Sequence, residues 1–379
     1  MKIAVIGAGP IGLEAAAEAA ARGHQVDVFE AGRVAEHVRA WGHVTLFTPW
    51  SMAVTEAGLA RAGVTLAAPE AFPTGAELVD TYLRPLAAAL DVHEHTEVVS
   101  VSRHQLRKGD QLGSAERALD PFRLVVRGEH GEGTVIADAV LDCTGVFRDP
   151  SPAGVGGVAA PGERSAADAG LLRYGPVDVS DLAGASVLLV GDGASAVTVL
   201  EQLLALSPLP TIHWSTPSET TPGFVSPPDD VLPARRRLFA IGRSAIAHEA
   251  VQHHPGGLVD HVRRVDDGAE VHLTDGTKCL VDTIVSCTGF RPDHALSREL
   301  QVHLCWGSEG PMKLAAALLA ASGGGGDCMA QPEQGADVLR SPEPRFFILG
   351  NKSYGRRSDF LLQRGHAQVR DALDLLEAS

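Results

Sequence analysis

The stretch KIAVIGAGPIGLEAAAEAAARGHQVDVFE, residues 2–30, decides the fold of this chain. A short apolar run ends at glycines, an alanine-rich segment follows from Leu13 to Arg22, and HQVDVFE then alternates apolar with polar residues. Gly23 lies just after the alanine-rich segment, where helices commonly end. The order of strand, glycine turn, helix and strand predicts a βαβ unit.

The glycines of this unit have the spacing of a dinucleotide site. Gly7 permits a tight turn, Gly9 lets a pyrophosphate approach the backbone, and Gly12 allows close helix packing. The helix N-terminus adds partial positive charge, and an acid at the end of the second strand can accept two ribose hydroxyls. A glycine motif alone also fits an ordinary strand-to-helix turn, but the strand, the helix and the acid together favour a dinucleotide. The predicted residues are Gly7, Gly9, Pro10, Ile11, Gly12 and Glu30.

The stretch SVLLVGDGASAVTVLEQLL, residues 186–204, repeats the pattern with alanine at the third glycine position. The next strand ends in HWST, residues 213–216, without a carboxylate. Because an acid there would repel a 2′-phosphate, this site favours NADPH over NADH. The arginines of 235–237 either reach that phosphate or form a solvated face. The predicted residues are Gly191, Gly193, Ala194, Ser195, Ala196, Ser215 and Thr216.

Two dinucleotide sites in one chain imply a redox relay, in which one dinucleotide delivers hydride and a tightly held flavin receives it. FAD and NADPH are therefore the predicted cofactors. A later strand and helix, within 345–376, are too short to fold alone and are expected to complete the first domain. The predicted fold class is α/β, with two Rossmann-like dinucleotide-binding domains and the NADPH domain inserted into a discontinuous FAD domain. The predicted boundaries are 1–176 and 290–379 for FAD and 177–289 for NADPH.

Between the glycine motifs, residues 75–90 predict an amphipathic helix interrupted at Pro85. TEVVSVSR and FRLVVRG, on either side of a polar loop, predict antiparallel strands.

Composition limits the function classes. The chain has 379 residues and a formal charge of −15, which argues against nucleic acid or an anionic membrane surface as a partner. The N-terminal apolar run is too short for a signal peptide, so a cytoplasmic protein with a small-molecule substrate is expected, and homo-oligomer formation is left open. His253 and His254 are adjacent and have no acid or cysteine at matching spacing, so no metal site is predicted.

The motif Cys-Thr-Gly occurs twice, in DCTGVFRDP at 142–150 and SCTGFRPD at 286–293. Two cysteines in matching settings are a redox pair, a pair of metal ligands or incidental. Each copy closes a nucleotide-binding block, where glycine allows a turn beside a cofactor and threonine can bond to backbone or ligand. We therefore expect Cys143 and Cys287 to be buried, reduced and dispensable to the chemistry.

The order of glycine motif, hairpin, LDCTG, second glycine motif, VSCTGFRPD and terminal ILGN resembles the flavoproteins with two dinucleotide-binding domains. That superfamily includes flavin-containing monooxygenases, N-hydroxylating monooxygenases and thioredoxin-reductase-like enzymes. The resemblance implies that both Cys-Thr-Gly motifs lie close to a nucleotide and that the terminal Gly-Asn approaches the flavin. The further cofactor residues expected are Val98, Thr144, Gly145, Thr288, Gly289, Gly350 and Asn351.

The resemblance also implies two segments beside the flavin ring. Residues 41–54 hold Trp41, Phe47 and Trp50, which either wall the ring and exclude water or pack as ordinary core. Residues 351–365 form either a surface loop or a cationic loop at the flavin pyrimidine, leading into a helix that Ser358 would cap and Asp359 would begin. The catalytic candidates are Lys352, Tyr354, Arg356 and Trp50.

Three functions remain open. The leading one is an NADPH-dependent FAD monooxygenase that inserts oxygen from O2 into a small substrate at nitrogen, sulfur or carbon through a flavin C4a-hydroperoxide. The second is an NAD(P)H oxidoreductase that passes electrons through FAD to a quinone, a small disulfide or a partner protein. The third is a flavin-binding protein without turnover. The chain has neither the CxxC of thiol-disulfide reductases nor the FxGxxxHxxx(Y/F) signature of flavin-containing monooxygenases.

Overall fold

The computed structural model describes residues 1–218, 232–266, 268–322 and 335–378. They divide into two compact units, a first one of Met1–Asp149 with Arg291–Ser379 and a second one of Pro150–Phe290. The N-terminal part of the first unit contains the strands β1 (Lys2–Ile6), β2 (Gln25–Phe29), β3 (Val92–His93), β4 (Glu97–Arg103), β5 (Phe122–Gly128), β6 (Gly131–Ala137) and β7 (Ala139–Asp142). Its helices are α1 (Pro10–Ala21), α2 (Glu36–Ala40), α3 (Trp50–Ala53), α4 (Glu56–Ala62), α5 (Gly75–Leu78) and α6 (Arg84–Ala88).

The second unit and the C-terminal part of the first follow in the chain. The helices of the second unit are α7 (Glu163–Asp168), α8 (Ala194–Leu204) and α9 (Pro233–Ala245). Its strands are β8 (Leu172–Tyr174), β9 (Ser186–Val190), β10 (Thr211–Thr216), β11 (Val251–Pro255), β12 (Val259–Val265), β13 (Gly268–Leu273), β14 (Lys278–Val281) and β15 (Thr283–Ser286). The first unit is then completed by α10 (Met312–Ser322), β16 (Phe346–Ile348) and α11 (Leu362–Glu377).

The first unit is built on a parallel sheet in the order β16-β7-β1-β2-β3. Alternate residues of β1 enter two different cores, because successive side chains of a strand point to opposite faces. Ile3 and Val5 pack with α1 and α11, whereas Ala4 and Ile6 pack with the antiparallel sheet β4-β5-β6. The apolar composition of β1 follows from this burial on both faces.

The second unit repeats the parallel arrangement in the order β11-β10-β9-β15-β8. A separate antiparallel sheet, β12-β13-β14, packs against it within one apolar cluster that includes Leu188 and Val271. Each unit therefore holds a strand-turn-helix-strand motif at the centre of a parallel sheet. The predicted α/β fold class with two Rossmann-like units is confirmed.

Two details differ from the sequence predictions. The first boundary lies after Asp149 instead of residue 176, because β8 pairs with β15 and belongs to the second unit. The helix predicted over 75–90 consists of α5, a π-helical turn at Val79–Leu83 and α6. The irregular turn thus precedes Pro85, which lies near the start of α6. Proline destabilises a helix least at this position, because the first N–H groups of a helix have no partner within it.

Candidate functional site

The first glycine motif lies where the carboxyl ends of β1, β2 and β7 meet. The strand order reverses direction at β1, and open parallel sheets bind ligands in the crevice at such a point. Gly7 has a φ of 99°, and a Cβ there would lie 2.8 Å from the carbonyl oxygen of Cys143. A Cβ on Gly12 would lie 1.9 Å from the oxygen of Gly7. These two glycines are required by the packing of the turn itself.

Gly9 is needed for a different reason. A Cβ added there would meet nothing within 4 Å, so the protein leaves open space at this position. Gly9 precedes α1 as its N-cap residue without a side-chain capping bond, and Pro10 begins the helix. The first-turn amides of a helix need partners, and a pyrophosphate is a suitable one. The geometry therefore fits the phosphates of a dinucleotide.

The carboxylate of Glu30 is held at the end of β2 by two backbone amides. Oε2 accepts a hydrogen bond of 2.8 Å from the Ala8 amide, and Oε1 accepts one of 2.9 Å from the Gly32 amide. Each carboxylate oxygen has a second lone pair for a further donor. This orientation is compatible with the predicted binding of two ribose hydroxyls.

The Cys-Thr-Gly turn after β7 is fixed by an acid that sequence analysis did not single out. Oδ1 of Asp142 accepts hydrogen bonds from the Thr144 hydroxyl at 2.7 Å and from the Thr144 amide at 3.2 Å. Gly145 follows with a φ of 68°, which favours glycine. The sequence did contain a signal for this role of Asp142, because a polar residue directly precedes Cys-Thr-Gly in both copies.

Lys352 lies in this network. Its Nζ is 2.7 Å from Oδ2 of Asp142 and 2.9 Å from Oγ1 of Thr144, and the lysine and aspartate side chains are both fully buried. A buried charge requires a partner, and each of these residues supplies the partner of the other. The ammonium group therefore joins the turn after β16 to the turn after β7.

The turn after β16 is attached to α11 and α1 as well. The Gly350 amide donates to Oε1 of Gln368 at 2.9 Å, and the Ser353 hydroxyl donates to the Gly350 carbonyl at 2.7 Å. A Cβ on Gly350 would lie 3.2 Å from Cγ1 of Ile11, so the predicted contact residues Gly350 and Ile11 pack together. The neighbouring Asn351 is half-buried.

A cleft with a volume of about 190 Å³ opens over this end of the first unit. Its wall includes the side chains of His37 on α2 and Arg148. It brings together five of the predicted FAD residues, namely Gly7, Glu30, Val98, Thr144 and Gly145. Their role in holding FAD stays a prediction, which the clustering supports.

The remaining catalytic candidates lie in different surroundings. Tyr354 is buried, with its ring edge against Phe360 at 5.2 Å between centroids. Nε of Arg356 lies 3.2 Å from a carboxylate oxygen of Glu309, in a partly exposed ion pair. Trp50 is buried in the core of the first unit, so its position agrees with the core-packing alternative. Trp41 and Phe47 are half-buried.

The last helix begins later than the sequence predicted. Leu361 is the N-cap residue of α11, so neither Ser358 nor Asp359 belongs to its first turn. Asp359 forms an ion pair with Arg357 instead. Arg357 therefore pairs with the Asp359 carboxylate, which was expected in the first turn of the helix.

The second glycine motif has the same backbone construction. Gly191 has a φ of 113°, and a Cβ there would lie 2.6 Å from the carbonyl oxygen of Cys287. Gly193 precedes α8 and, like Gly9, would meet nothing within 4 Å if it carried a Cβ. Ala194 and Ser195 form the first turn of α8, and Ala196 is buried. The geometry again fits a pyrophosphate at the helix N-terminus.

The second Cys-Thr-Gly motif also has a polar partner before the cysteine. Oγ of Ser286 lies 3.0 Å from Oγ1 of Thr288, and the Thr288 hydroxyl donates to the Ser151 carbonyl at 2.6 Å. Gly289 has a φ of 88°. Threonine and glycine therefore have similar local roles in the two copies.

The end of β10 corresponds to the position of Glu30 in the first unit. The Gly7 amide donates to the carbonyl of Phe29 at 2.7 Å, and the Gly191 amide donates to that of Ser215 at 3.0 Å. The residue after Phe29 is Glu30, so Thr216 is its counterpart. Its buried Oγ1 lies 2.9 Å from Nε2 of His253.

Neither Ser215 nor Thr216 carries charge. The Ser215 hydroxyl donates to the carbonyl of Gly257 at 2.6 Å. Within the predicted arginine cluster, Arg237 pairs with Glu201 of α8 at 2.6 Å. At this strand end, the counterpart of Glu30 is therefore an uncharged threonine instead of an acid.

Four cysteines lie in the described part of the chain, all as free thiols, while Cys328 lies outside it. Burial raises the pKa of Cys143 far above its ordinary value, that of Cys287 to about 12 and that of Cys279 to about 11. Hydrogen bonds to Ser308 and Gly307 lower the pKa of the half-exposed Cys305. Because the thiolate is the reactive form, the three buried thiols are poorly suited to disulfide exchange.

Residues 1–310 match the family model described as pyridine nucleotide-disulphide oxidoreductase. No curated protein matches the sequence. No helix in the described ranges is long and apolar enough to cross a membrane.

Several solved structures share the fold at low sequence identity. A bacillithiol disulfide reductase from Bacillus cereus has a TM-score of 0.72 at 16% identity, with 100% of both chains covered. A thioredoxin reductase from Lactococcus lactis has a TM-score of 0.62 at 16% identity, covering 100% of this chain and 99% of the other. An ornithine N-hydroxylase from Kutzneria sp. 744 has a TM-score of 0.65 at 16% identity, covering 99% and 98%.

Proposed function

The chain belongs to the pyridine nucleotide-disulphide oxidoreductase family, and from that premise we propose that it is an NADPH-dependent FAD monooxygenase acting on a small organic substrate. Family membership confirms the predicted superfamily, and with it a flavin-dependent oxidoreductase that uses a pyridine nucleotide. The preference for NADPH over NADH is part of the proposal. Oxygen insertion at nitrogen, sulfur or carbon is the proposed step within this class. The residues that hold each cofactor are part of the same proposal.

The first unit has the groups to hold FAD. The open space at Gly9 and the first turn of α1 would receive the pyrophosphate, and Glu30 would accept the ribose hydroxyls. Thr144 would be kept in place by Asp142 and Lys352 beneath it. When bound, FAD supplies an acceptor for hydride and a donor of two electrons.

The observation that carries the proposal is the state of the cysteines. The buried thiols of Cys143, Cys279 and Cys287 have raised pKa values, and the described cysteines are all free. An acceptor that needs a protein dithiol has no suitable pair among them. This favours an acceptor that takes electrons directly at the flavin, and O2 is such an acceptor.

The proposal is tested by following oxygen atoms. Purified holoenzyme is supplied with NADPH, ¹⁸O₂ and a panel of small amines and sulfides, and products are analysed by mass spectrometry. We expect at least one product to contain a single ¹⁸O, with close to one NADPH consumed per product. Peroxide release without a labelled product for any member, or no NADPH oxidation in air, would argue against oxygenation.

Reduction of a small disulfide is a second candidate, because two bacillithiol disulfide reductases, from Bacillus cereus and Staphylococcus aureus, have TM-scores of 0.72 and 0.69 with essentially complete coverage. An anaerobic assay of the same holoenzyme preparation distinguishes the reductase from the monooxygenase. Under strictly anaerobic conditions, NADPH oxidation that starts on adding a low-molecular-weight disulfide, with two thiols formed per NADPH, would establish the reductase. A monooxygenase should remain reduced under these conditions.

The coenzyme preference depends on the uncharged end of β10. We expect the wild-type protein to prefer NADPH over NADH in kcat/KM, by a margin that shrinks as ionic strength rises. Thr216→Asp would place a carboxylate at the position of Glu30 in the first unit and repel the 2′-phosphate. We expect this change to shift the NADPH/NADH ratio of kcat/KM toward NADH by roughly tenfold or more, about 1.4 kcal/mol.

Steady-state kinetics with both coenzymes measure this ratio, and Thr216→Asn is the uncharged control. FAD content confirms that each variant is folded. A wild-type preference for NADH, or equal ratios for the Asp and Asn variants, would contradict the assignment of this strand end.

A further inference from the structure

Two histidines and a cysteine from three different strands of the second unit converge on one place. His213 is on β10, His254 on β11 and Cys279 on β14. Nδ1 or Nε2 of each imidazole and Sγ of the cysteine all lie within 4.8 Å of one another. The spacing in the sequence concealed this cluster, because no cysteine lies near the His253-His254 pair in the chain.

The distances within the cluster suit a tetrahedral metal. Nδ1 of His213 lies 3.2 Å from Nε2 of His254. Zn–N bonds of about 2.0–2.1 Å at tetrahedral angles place two ligand nitrogens roughly 3.3 Å apart. Imidazole and thiolate ligands are the set that zinc binds in proteins. The three residues thus match zinc in both ligand type and nitrogen spacing.

Strand alternation distinguishes this cluster from its neighbours. Adjacent residues of a strand point to opposite faces, so His253 is directed to Thr216 while His254 is directed to His213. Cys279 is buried, whereas the two cluster histidines are partly exposed, which leaves a path of entry.

We propose that His213, His254 and Cys279 bind one Zn²⁺ ion. On binding, each imidazole donates a nitrogen lone pair, the Cys279 thiol releases its proton to solvent as the Zn–S bond forms, and water takes the fourth position. The ion would join β10 and β11 of the parallel sheet to β14 of the antiparallel sheet. Its role would be to stabilise the second unit.

The test is a zinc titration of the full-length holoprotein, stripped of metal by dialysis against a chelator. Cys305→Ser and Cys328→Ser form the background, so that the half-exposed thiol and the one outside the described residues do not contribute. ZnSO4 is titrated against a colorimetric chelator. We expect one equivalent of zinc to bind, and Cys279→Ser and His254→Gln to weaken binding by roughly 100-fold or more.

The matched controls are Cys287→Ser and His253→Gln, which remove a buried thiol and an imidazole outside the cluster. They should bind zinc as the background protein does. No stoichiometric binding to the background protein, or equal affinities of the Cys279→Ser and Cys287→Ser variants, would overturn the proposal and leave a metal-free imidazole pair.

Cobalt substitution gives a second measurement that needs no variant to fold. Co²⁺ bound at the cluster should show an intense near-ultraviolet band from thiolate-to-metal charge transfer, together with the visible absorption of tetrahedral cobalt. A stoichiometric cobalt complex that lacks the thiolate band would show that Cys279 is not a ligand and would overturn the site as proposed.

Discussion

Lys352→Met is expected to lower the free energy of unfolding by about 3–5 kcal/mol and to release most of the bound FAD. The substitution keeps much of the side-chain volume but leaves Asp142 as a buried carboxylate without its cation, which is among the most costly changes in a protein interior. Thr144 also loses the donor that holds its hydroxyl. The measurements are chemical denaturation and the ratio of flavin to protein absorbance.

Two further variants make this expectation specific. Lys313→Met breaks the exposed ion pair between Lys313 and Asp337, and it should change stability by less than about 1 kcal/mol because solvent screens such pairs. The double variant Lys352→Met with Asp142→Asn leaves no unpaired charge, so it should recover part of the loss. A Lys352→Met protein with the same stability and the same flavin content as the Lys313→Met protein would refute the structural role of the buried pair.

Gly9→Ala and Gly193→Ala should separate the two cofactor sites. Both glycines have extended backbone angles that alanine adopts, and a Cβ at either place meets nothing within 4 Å. The apoprotein should therefore keep its stability within about 1 kcal/mol. The new methyl group would occupy the space assigned to a pyrophosphate, so each variant should lose affinity for one cofactor only.

We expect Gly9→Ala to bind FAD at least tenfold more weakly, and Gly193→Ala to retain FAD while its KM for NADPH rises at least tenfold. Flavin titration of the apoproteins and NADPH-dependent reduction measure the two effects. Gly12→Ala is a contrasting variant that should misfold, because its Cβ would lie 1.9 Å from the Gly7 oxygen. Exchange of the two phenotypes, or no effect of either substitution, would contradict the assignment of the sites.

The sequence was sufficient for the fold because the decisive signals are local. The spacing of Gly7, Gly9, Gly12 and Glu30 depends on backbone turns and helix packing within one βαβ unit. The division between units was harder to place, since β8 pairs with β15 about a hundred residues later. Pairing between strands that are so far apart in the chain leaves no local pattern in the sequence.

The candidate site was predictable in its backbone but less so in its side chains. Lys352 was a catalytic candidate from the sequence, which did not indicate that its ammonium group is buried against Asp142, a partner more than two hundred residues away. Ser358 resembled an N-cap in the sequence, but the Arg357–Asp359 pair precedes a helix that begins at Leu362. A partner from a distant strand decides the first case, and a local ion pair outside the helix decides the second.

The repeated Cys-Thr-Gly motif is explained by backbone contacts. The carbonyl of Cys143 lies against Gly7, and that of Cys287 lies against Gly191. The cysteine amides bond in turn to the carbonyls of Ile6 and Val190. The repeat therefore marks where β7 and β15 pass beneath the two glycine turns, and it requires no reaction between the thiols.

An anaerobic titration of the oxidised holoenzyme with NADPH tests the central claim, that electrons pass from NADPH to FAD without a protein disulfide. We predict that one equivalent of NADPH per FAD bleaches the flavin completely, because the cysteines in the described part of the chain are free thiols and FAD accepts two electrons. A requirement for two equivalents would reveal a redox-active disulfide, and a flavin that NADPH fails to bleach would reveal a binding protein without turnover. Either result would contradict the account.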